Sequence, residues 1–291
     1  MTQPLPPYVL GRVTGVEPLT PRMRRITLSA DDWLGAREVA PDQQVKLFLA
    51  RDGGVPEIPG APEDGSGVAG WYARYLAVPE ERRPWMRSYT VRTLDPEHGR
   101  MVIDFVLHDD GTHGPHGTDD AGPASRWAAR ASIGDVVGVL GPAVAGYRTP
   151  SEQPVRLFAG DETALPAIAA SLEALPAGVR AVAVVEVAGP AEEQRLDSPA
   201  ELAVHWVHRP SSLLDAVRAA ELPDGEVFAW VAGEASSVRA VRRHLVGDRG
   251  LDKRAVAFTG YWRRDLTQDD APTAQDVADA NEQMGESSHP A

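Results

Sequence analysis

Two hydrophobic rhythms divide the chain. Up to about residue 148, short apolar and β-branched runs are split by Gly, Pro and Asp, at 8–16, 23–29, 43–50, 87–94, 101–108 and 135–140. Within 101–108, Met101, Ile103, Phe105 and Leu107 fall on one face, and Asp104 and His108 on the other. That alternation is the period of a strand. Short strands without helices between them predict an antiparallel barrel. A helical stretch at 125–131 interrupts the series. Residues 71–86, with Trp71, Tyr72, Tyr75, Leu76 and Trp85, read as partly helical and able to pack over the barrel. The Gly/Pro/Asp/Glu-rich stretch 51–70 reads as a long surface loop.

From Val155 the pattern becomes strand–helix alternation. The strands predicted are 155–159, 180–187, 202–208, 226–232 and 255–261, and the helices 163–175, 211–221 and 235–246. In the last helix Val238, Val241 and Leu245 share a face, while Arg239, Arg242 and Arg243 point elsewhere. Such alternation implies a parallel sheet with helices on its faces. The reading is therefore a β-barrel over 1–148, a linker near 149–153, an α/β domain over 154–264 and an acidic tail over 265–291. A ligand cleft is expected between the two domains, at the carboxyl ends of the parallel strands.

Composition narrows the chemistry. The 291 residues contain no cysteine, which excludes disulfides, thiolate metal sites and a thiol nucleophile, and fits a cytoplasmic protein. Electrons, if they move here, must travel through a bound cofactor. The formal charge of -13 argues against a nucleic-acid partner. Asp265, Asp269, Asp270, Asp276, Asp279, Glu282 and Glu286 lie in the tail, which has no Lys or Arg and reads as a solvated end. No apolar run is long enough to cross a membrane, and the first residues show no secretory signal. No residue pattern fixes the oligomeric state, and a monomer is the working expectation.

Five motifs could carry chemistry. In Arg87-Ser88-Tyr89-Thr90-Val91-Arg92, Arg87 and Tyr89 alternate on one strand face. A guanidinium fork matches pyrophosphate oxygens, a phenol ring packs on a flavin, and a Thr hydroxyl or amide meets the flavin's polar edge. The plain alternative is an amphipathic strand with solvated arginines. His108 precedes Gly122-Pro123-Ala124-Ser125, with Trp127 following, a helix start whose exposed amides favour an anion. The insertion 109–121 between them carries His113 and His116 beside Asp residues, but their spacing matches no closed metal-ligand set. Gly160-Asp161-Glu162-Thr163-Ala164 forms a strand-to-helix turn without the Gly-x-Gly-x-x-Gly fingerprint, and Gly233-Glu234 opens the helix at 235. Glu186 near a strand end suits a ribose diol and leans toward NADH, whereas Arg239, Arg242 and Arg243 are candidates for a 2′-phosphate, with a solvated helix face as the alternative. Thr259-Gly260-Tyr261-Trp262-Arg263-Arg264 closes the last strand.

Together these motifs resemble the siderophore-interacting proteins, a flavin-dependent branch of the ferredoxin-reductase-like superfamily. The resemblance implies an antiparallel Greek-key FAD-binding barrel followed by a parallel-sheet nicotinamide-binding domain. It makes Arg87, Ser88, Tyr89, Thr90, His108, Gly122, Ala124, Ser125 and Trp127 flavin-side residues. Asp161, Glu162, Thr163, Ala164, Gly233 and Glu234 fall on the nicotinamide side. Lys46 and Arg263 become candidates for contact with an anionic ferric siderophore. The expected activity is an NAD(P)H-dependent, FAD-containing reductase that turns siderophore Fe(III) into Fe(II), with no side chain assigned as general acid or base and no resident metal. The alternatives are a siderophore-binding protein without turnover, and a flavin or ferredoxin-type reductase with another acceptor.

Overall fold

A computed structural model describes residues 8–36, 40–62, 64, 66–108, 122–141 and 153–264, with 266, 273–275 and 278 besides. The insertion 109–121, the linker at 149–152 and nearly all of the acidic tail lie outside these residues. The chain forms two compact units. The first is drawn from the N-terminal part together with Pro166–Ala174 and Ala191–Leu196, and the second from the rest.

Seven strands build the first unit: β1 (Tyr8–Thr20), β2 (Met23–Ser29), β3 (Gln44–Leu49), β4 (Trp85–Thr90), β5 (Thr93–Asp95), β6 (Arg100–Val106) and β7 (Val136–Leu140). Helix α1 (Gly67–Ala77) lies between β3 and β4, and α2 (Pro123–Arg130) between β6 and β7. The sheet order is β4-β3-β7-β1-β2-β6-β5, and all its pairings are antiparallel. Neighbours such as β7 and β1 are far apart in sequence, as Greek-key connections require.

The run expected at 87–94 is two strands, and the break between them closes the barrel. β4 and β5 stand at opposite ends of the sheet order, yet only Val91 and Arg92 join them. Three Cα steps reach about 11 Å, whereas the edges of an open seven-stranded sheet lie about 29 Å apart. The amide of Val91 bonds to Gln43 O and that of Arg92 to Val102 O, each at 2.8 Å, so successive residues serve opposite edges.

Alternation along β3 fills two cores. Val45, Leu47 and Leu49 join Val13, Ile26, Ile103, Phe105 and Val139 inside the barrel. Phe48 faces a second cluster with Ile58, Trp71, Tyr75 and Leu140, with α1 as its cover. The stretch 51–70 is thus more than a surface loop, since Ile58 is buried and the helix begins within it, at Gly67. Gly138 makes room, because a Cβ there would come within 2.0 Å of Ile58 Cδ1.

The second unit holds a five-stranded parallel sheet of β8 (Val155–Asp161), β9 (Arg180–Val187), β10 (Glu201–His208), β11 (Val227–Glu234) and β12 (Val256–Trp262), in the order β10-β9-β8-β11-β12. Helix α3 (Leu165–Glu173) follows β8, and from Pro166 onward it groups with the first unit. Helices α4 (Leu213–Ala219) and α5 (Ala235–Arg243) pack on the sheet through Leu213, Val217, Val238 and Val241. They are shorter than expected, α5 passing at His244 into a turn of π-helix. Among the described residues no helix is long and apolar enough to cross a membrane.

Candidate cofactor sites

Two groups of the expected residues assemble, one in each unit. The first forms around β4. Its register pairs Arg87 with Leu47 and Tyr89 with Val45, which sets both on the face of the barrel core, while Ser88 opposite Lys46 and Thr90 opposite Gln44 take the other face. The Tyr89 ring lies 4.4 Å from Phe105, and Phe105 lies 5.4 Å from Trp127 of α2. This aromatic row packs α2 beside β4. There His108 N donates to Ser125 Oγ at 2.9 Å, which ties the end of the β6 segment to the same helix turn.

The start of α2 suits an anion. Pro123 occupies the first turn, where its missing N–H costs nothing. No side chain among the described residues caps the helix, and the space a Cβ would take at Gly122 is open. The amides of Ala124 and Ser125 therefore remain at the positive end of the helix dipole. Arg87 is buried on β4 and donates to Met86 O at 2.8 Å. Burial pushes the Tyr89 phenol above its usual value, against the pull of the Arg87 charge, so the ring stays neutral.

Lys46 Nζ reaches Ser88 Oγ at 2.5 Å. Its side chain keeps contact with solvent, yet the protein packed about the ammonium removes enough hydration to lower its pKa. Arg92, the second arginine of the motif, is spent inside the fold. It donates to Glu173 Oε2 at 2.8 Å and approaches Asp104, which Arg25 grips bidentately at 2.7 and 2.8 Å. Asp104 is thus a buried acid with its countercharges at hand rather than a solvent-facing strand residue.

The second group lies where the strand order reverses. β8 continues outward to β9 and β10, and the chain then returns to place β11 on the other side of β8. In open parallel sheets the crevice at such a switch point is the usual ligand seat. Asp161, the last residue of β8, spends both oxygens there. Oδ1 accepts from Thr163 N at 2.9 Å and from Thr163 Oγ1 at 2.5 Å. Oδ2 accepts from Glu234 N at 2.7 Å and from Trp262 Nε1 at 2.8 Å. One carboxylate thereby joins the ends of β8, β11 and β12. Burial raises its pKa, and Glu162 adds to that, against the Thr163 hydroxyl, the Trp262 indole and the Glu234 amide. Gly233 has φ +137°, and a Cβ would come within 2.5 Å of Asp161 Oδ2, so glycine alone fits. Glu234 caps α5 by accepting from Ser236 N at 2.9 Å and Ser237 N at 3.0 Å.

Glu162, exposed slightly beyond Asp161, meets a residue that the sequence pattern had not marked. Arg209 Nη2 donates to its Oε1 at 2.6 Å. The only local signal was a cation placed directly after a strand and before Pro210. Arg242, by contrast, lies 4.3 Å over the Phe258 ring, packed against the middle of β12. Trp262 is anchored by its indole N–H, Tyr261 lies 6.3 Å from Trp230, and Arg263 follows β12 in a bridge to Leu266.

Known proteins share this arrangement. Residues 12–146 match the siderophore-interacting FAD-binding domain, and 154–265 match the siderophore-interacting protein family. A siderophore utilization protein from T. fusca is 35% identical and superposes with a TM-score of 0.72, over 93% of this chain and 97% of that one. An uncharacterized protein of Mycobacterium tuberculosis is 37% identical over 211 residues, 67% of this chain and 71% of the relative. The ferric vibriobactin reductase of Vibrio cholerae is 28% identical over 250 residues, 82% of this chain and 83% of its own length. Both halves of the chain match, and they match in the order barrel then parallel sheet, so this protein belongs to the siderophore-interacting protein family.

Proposed function

We propose that the protein is an FAD-dependent oxidoreductase that takes electrons from a nicotinamide dinucleotide and reduces the Fe(III) of a ferric siderophore to Fe(II). The observation that carries this reading is the seat formed by β4 and the start of α2, which no side chain among the described residues caps, with Tyr89, Phe105 and Trp127 packed between them. The match of 12–146 to an FAD-binding domain supports it. So does the relative named a ferric vibriobactin reductase.

Bound there, FAD would supply the step between a two-electron hydride donor and a one-electron metal acceptor. The chain's own part is to bind and orient. Arg87 and the amides of Ala124 and Ser125 are assigned to the pyrophosphate, Tyr89 to the ring face and Thr90 to its polar edge, with Ser88, His108, Gly122 and Trp127 shaping the seat. The turn after β8 and the carboxyl end of β11 are assigned to the dinucleotide, through the amides of 162–164 and the glycine at 233. Lys46 and Arg263 are assigned to the anionic siderophore. Hard oxygen donors favour Fe(III), so adding one electron weakens the complex and frees the metal.

The test is an anaerobic assay with protein, FAD, NADH or NADPH, several ferric siderophores and an Fe(II) trap. The flavin band should bleach with a dinucleotide and the trap should colour when a siderophore is added. A colourless protein that binds siderophore without flavin would instead establish sequestration. Bleaching with no Fe(II) from any siderophore would point to another acceptor.

A further inference from the structure

Arg209 directly follows β10 and so stands at the carboxyl end of the parallel sheet. It is shared among acids. Glu162, one residue past β8, holds its Nη2 at 2.6 Å. The charges of Glu186, near the end of β9, and of Asp161 also bear on it. Glu186 in turn accepts from Leu213 N at 3.0 Å, at the first residue of α4. The pair is well sheltered, with 26% of the Arg209 side chain and 14% of the Glu162 side chain exposed. The second oxygen of Glu162 is buried without a hydrogen-bond partner among the described residues.

Two kinds of donor dinucleotide would meet this arrangement differently. In parallel sheets of this type the adenosine ribose lies at the strand ends, where an acid serves a 2′,3′-diol and an arginine serves a 2′-phosphate. Here the arginine is present, but its Nη2 is engaged by Glu162. A 2′-phosphate would bring about two negative charges. It would have to displace Glu162 from Arg209 and then face Glu162, Glu186 and Asp161 together. A diol carries no charge and raises no such conflict. Two of the three helix cations lie away from this edge. Arg242 is packed on Phe258, and Arg243 ends α5 about 12 Å along the axis from the strand ends.

We propose that the Glu162–Arg209 ion pair makes the donor site select the unphosphorylated dinucleotide, NADH, over the 2′-phosphorylated one, with Glu162 as the discriminating residue. This rests on the reading that a nicotinamide dinucleotide is the electron donor and binds at this sheet edge.

The test uses the purified full chain and two redox-inert probes, ADP-ribose and 2′-phospho-ADP-ribose, titrated by calorimetry. ADP-ribose should bind at least about tenfold more tightly. Glu162→Gln should move the ratio of the two affinities about tenfold toward the phosphorylated probe. The double variant Glu162→Gln/Arg209→Met should lose that gain. Arg209→Met alone should widen the preference for ADP-ribose, which keeps the test open should Glu162→Gln fold poorly. Anaerobic bleaching by NADH and NADPH should shift in the same direction. Tighter binding of the phosphorylated probe by the wild type would overturn the proposal. An unchanged ratio in a Glu162→Gln protein of wild-type unfolding temperature would do the same. Failure of both probes to bind and of both dinucleotides to bleach the flavin would instead sink the donor reading, and the preference with it.

Discussion

At the scale of single residues, Asp161 and Gly233 show how a turn can be specified without a glycine-rich fingerprint. The carboxylate gathers four donors from three chain segments, and the missing Cβ at Gly233 lets it do so. A methyl group at 233 would meet Asp161 Oδ2 and force a backbone angle that L-residues avoid. Gly233→Ala is therefore expected to cost about 2–4 kcal/mol. Denaturant midpoints of variant and wild type measure this, and an unchanged midpoint would show that the switch point tolerates a rearranged hub. The same geometry explains why three of the acids in these motifs carry different duties. Asp161 joins three strand ends, Glu234 caps α5, and Glu162 pairs with Arg209.

At the scale of elements, strand pairs are pinned by charges the hydrophobic pattern does not reveal. Arg25 and Asp104 stand directly opposite on β2 and β6 and form a two-bonded fork at a buried acid. Removing the acid leaves Arg25 and Arg92 without it, and removing one member of a buried pair costs about 3–5 kcal/mol. Partial exposure of Arg25 places Asp104→Ala at about 3 kcal/mol. Equilibrium unfolding followed by tryptophan fluorescence reads the loss. The edge of the parallel sheet has a pH signature. Burial, the largest cause, holds Glu186 above the ordinary glutamate value, with Leu213 N–H and Arg209 opposing and Asp161 and Glu162 adding. The folded state thus keeps this proton to higher pH than the unfolded chain. Its contribution to stability is complete below about pH 4.3 and is lost as pH rises through the folded value. Glu186→Gln removes that loss, so the variant should gain on wild type as pH climbs from about 4 toward neutrality. Unfolding free energies measured across that range decide it, and parallel curves for the two proteins would contradict the shift.

At the scale of the whole molecule, the assignment of the flavin seat makes one demand on the barrel. Arg87 is buried on β4, and a pyrophosphate is its proposed partner. Arg87→Ala should weaken FAD binding by about tenfold to a hundredfold, the range of one or two lost charge-assisted hydrogen bonds. Fluorescence titration of apoprotein with FAD reads this directly. Full retention of affinity would move the pyrophosphate elsewhere. The proposed dinucleotide site lies in the other unit, so NADH and NADPH selectivity should survive in whatever fraction of that variant still carries flavin.

The order of barrel and parallel sheet and most strand positions were legible in the linear pattern, and the candidate site residues were named there from their motifs and the family resemblance. Period-two alternation, helix spacing and turn residues are local properties, and they survive being read one segment at a time. What the tertiary structure decided involves residues far apart in sequence. Barrel closure turns one apparent strand at 87–94 into two, because Val91 and Arg92 bond to opposite edges. The loop at 51–70 gains a buried Ile58 only once α1 and β7 surround it. Arg92 changes from a motif residue to an internal ion-pair partner of Glu173, 81 positions away. Arg209 acquires a role only when parallel pairing sets the end of β10 beside the ends of β9 and β8. A charge's meaning depends on which countercharges surround it, and those are chosen by the fold.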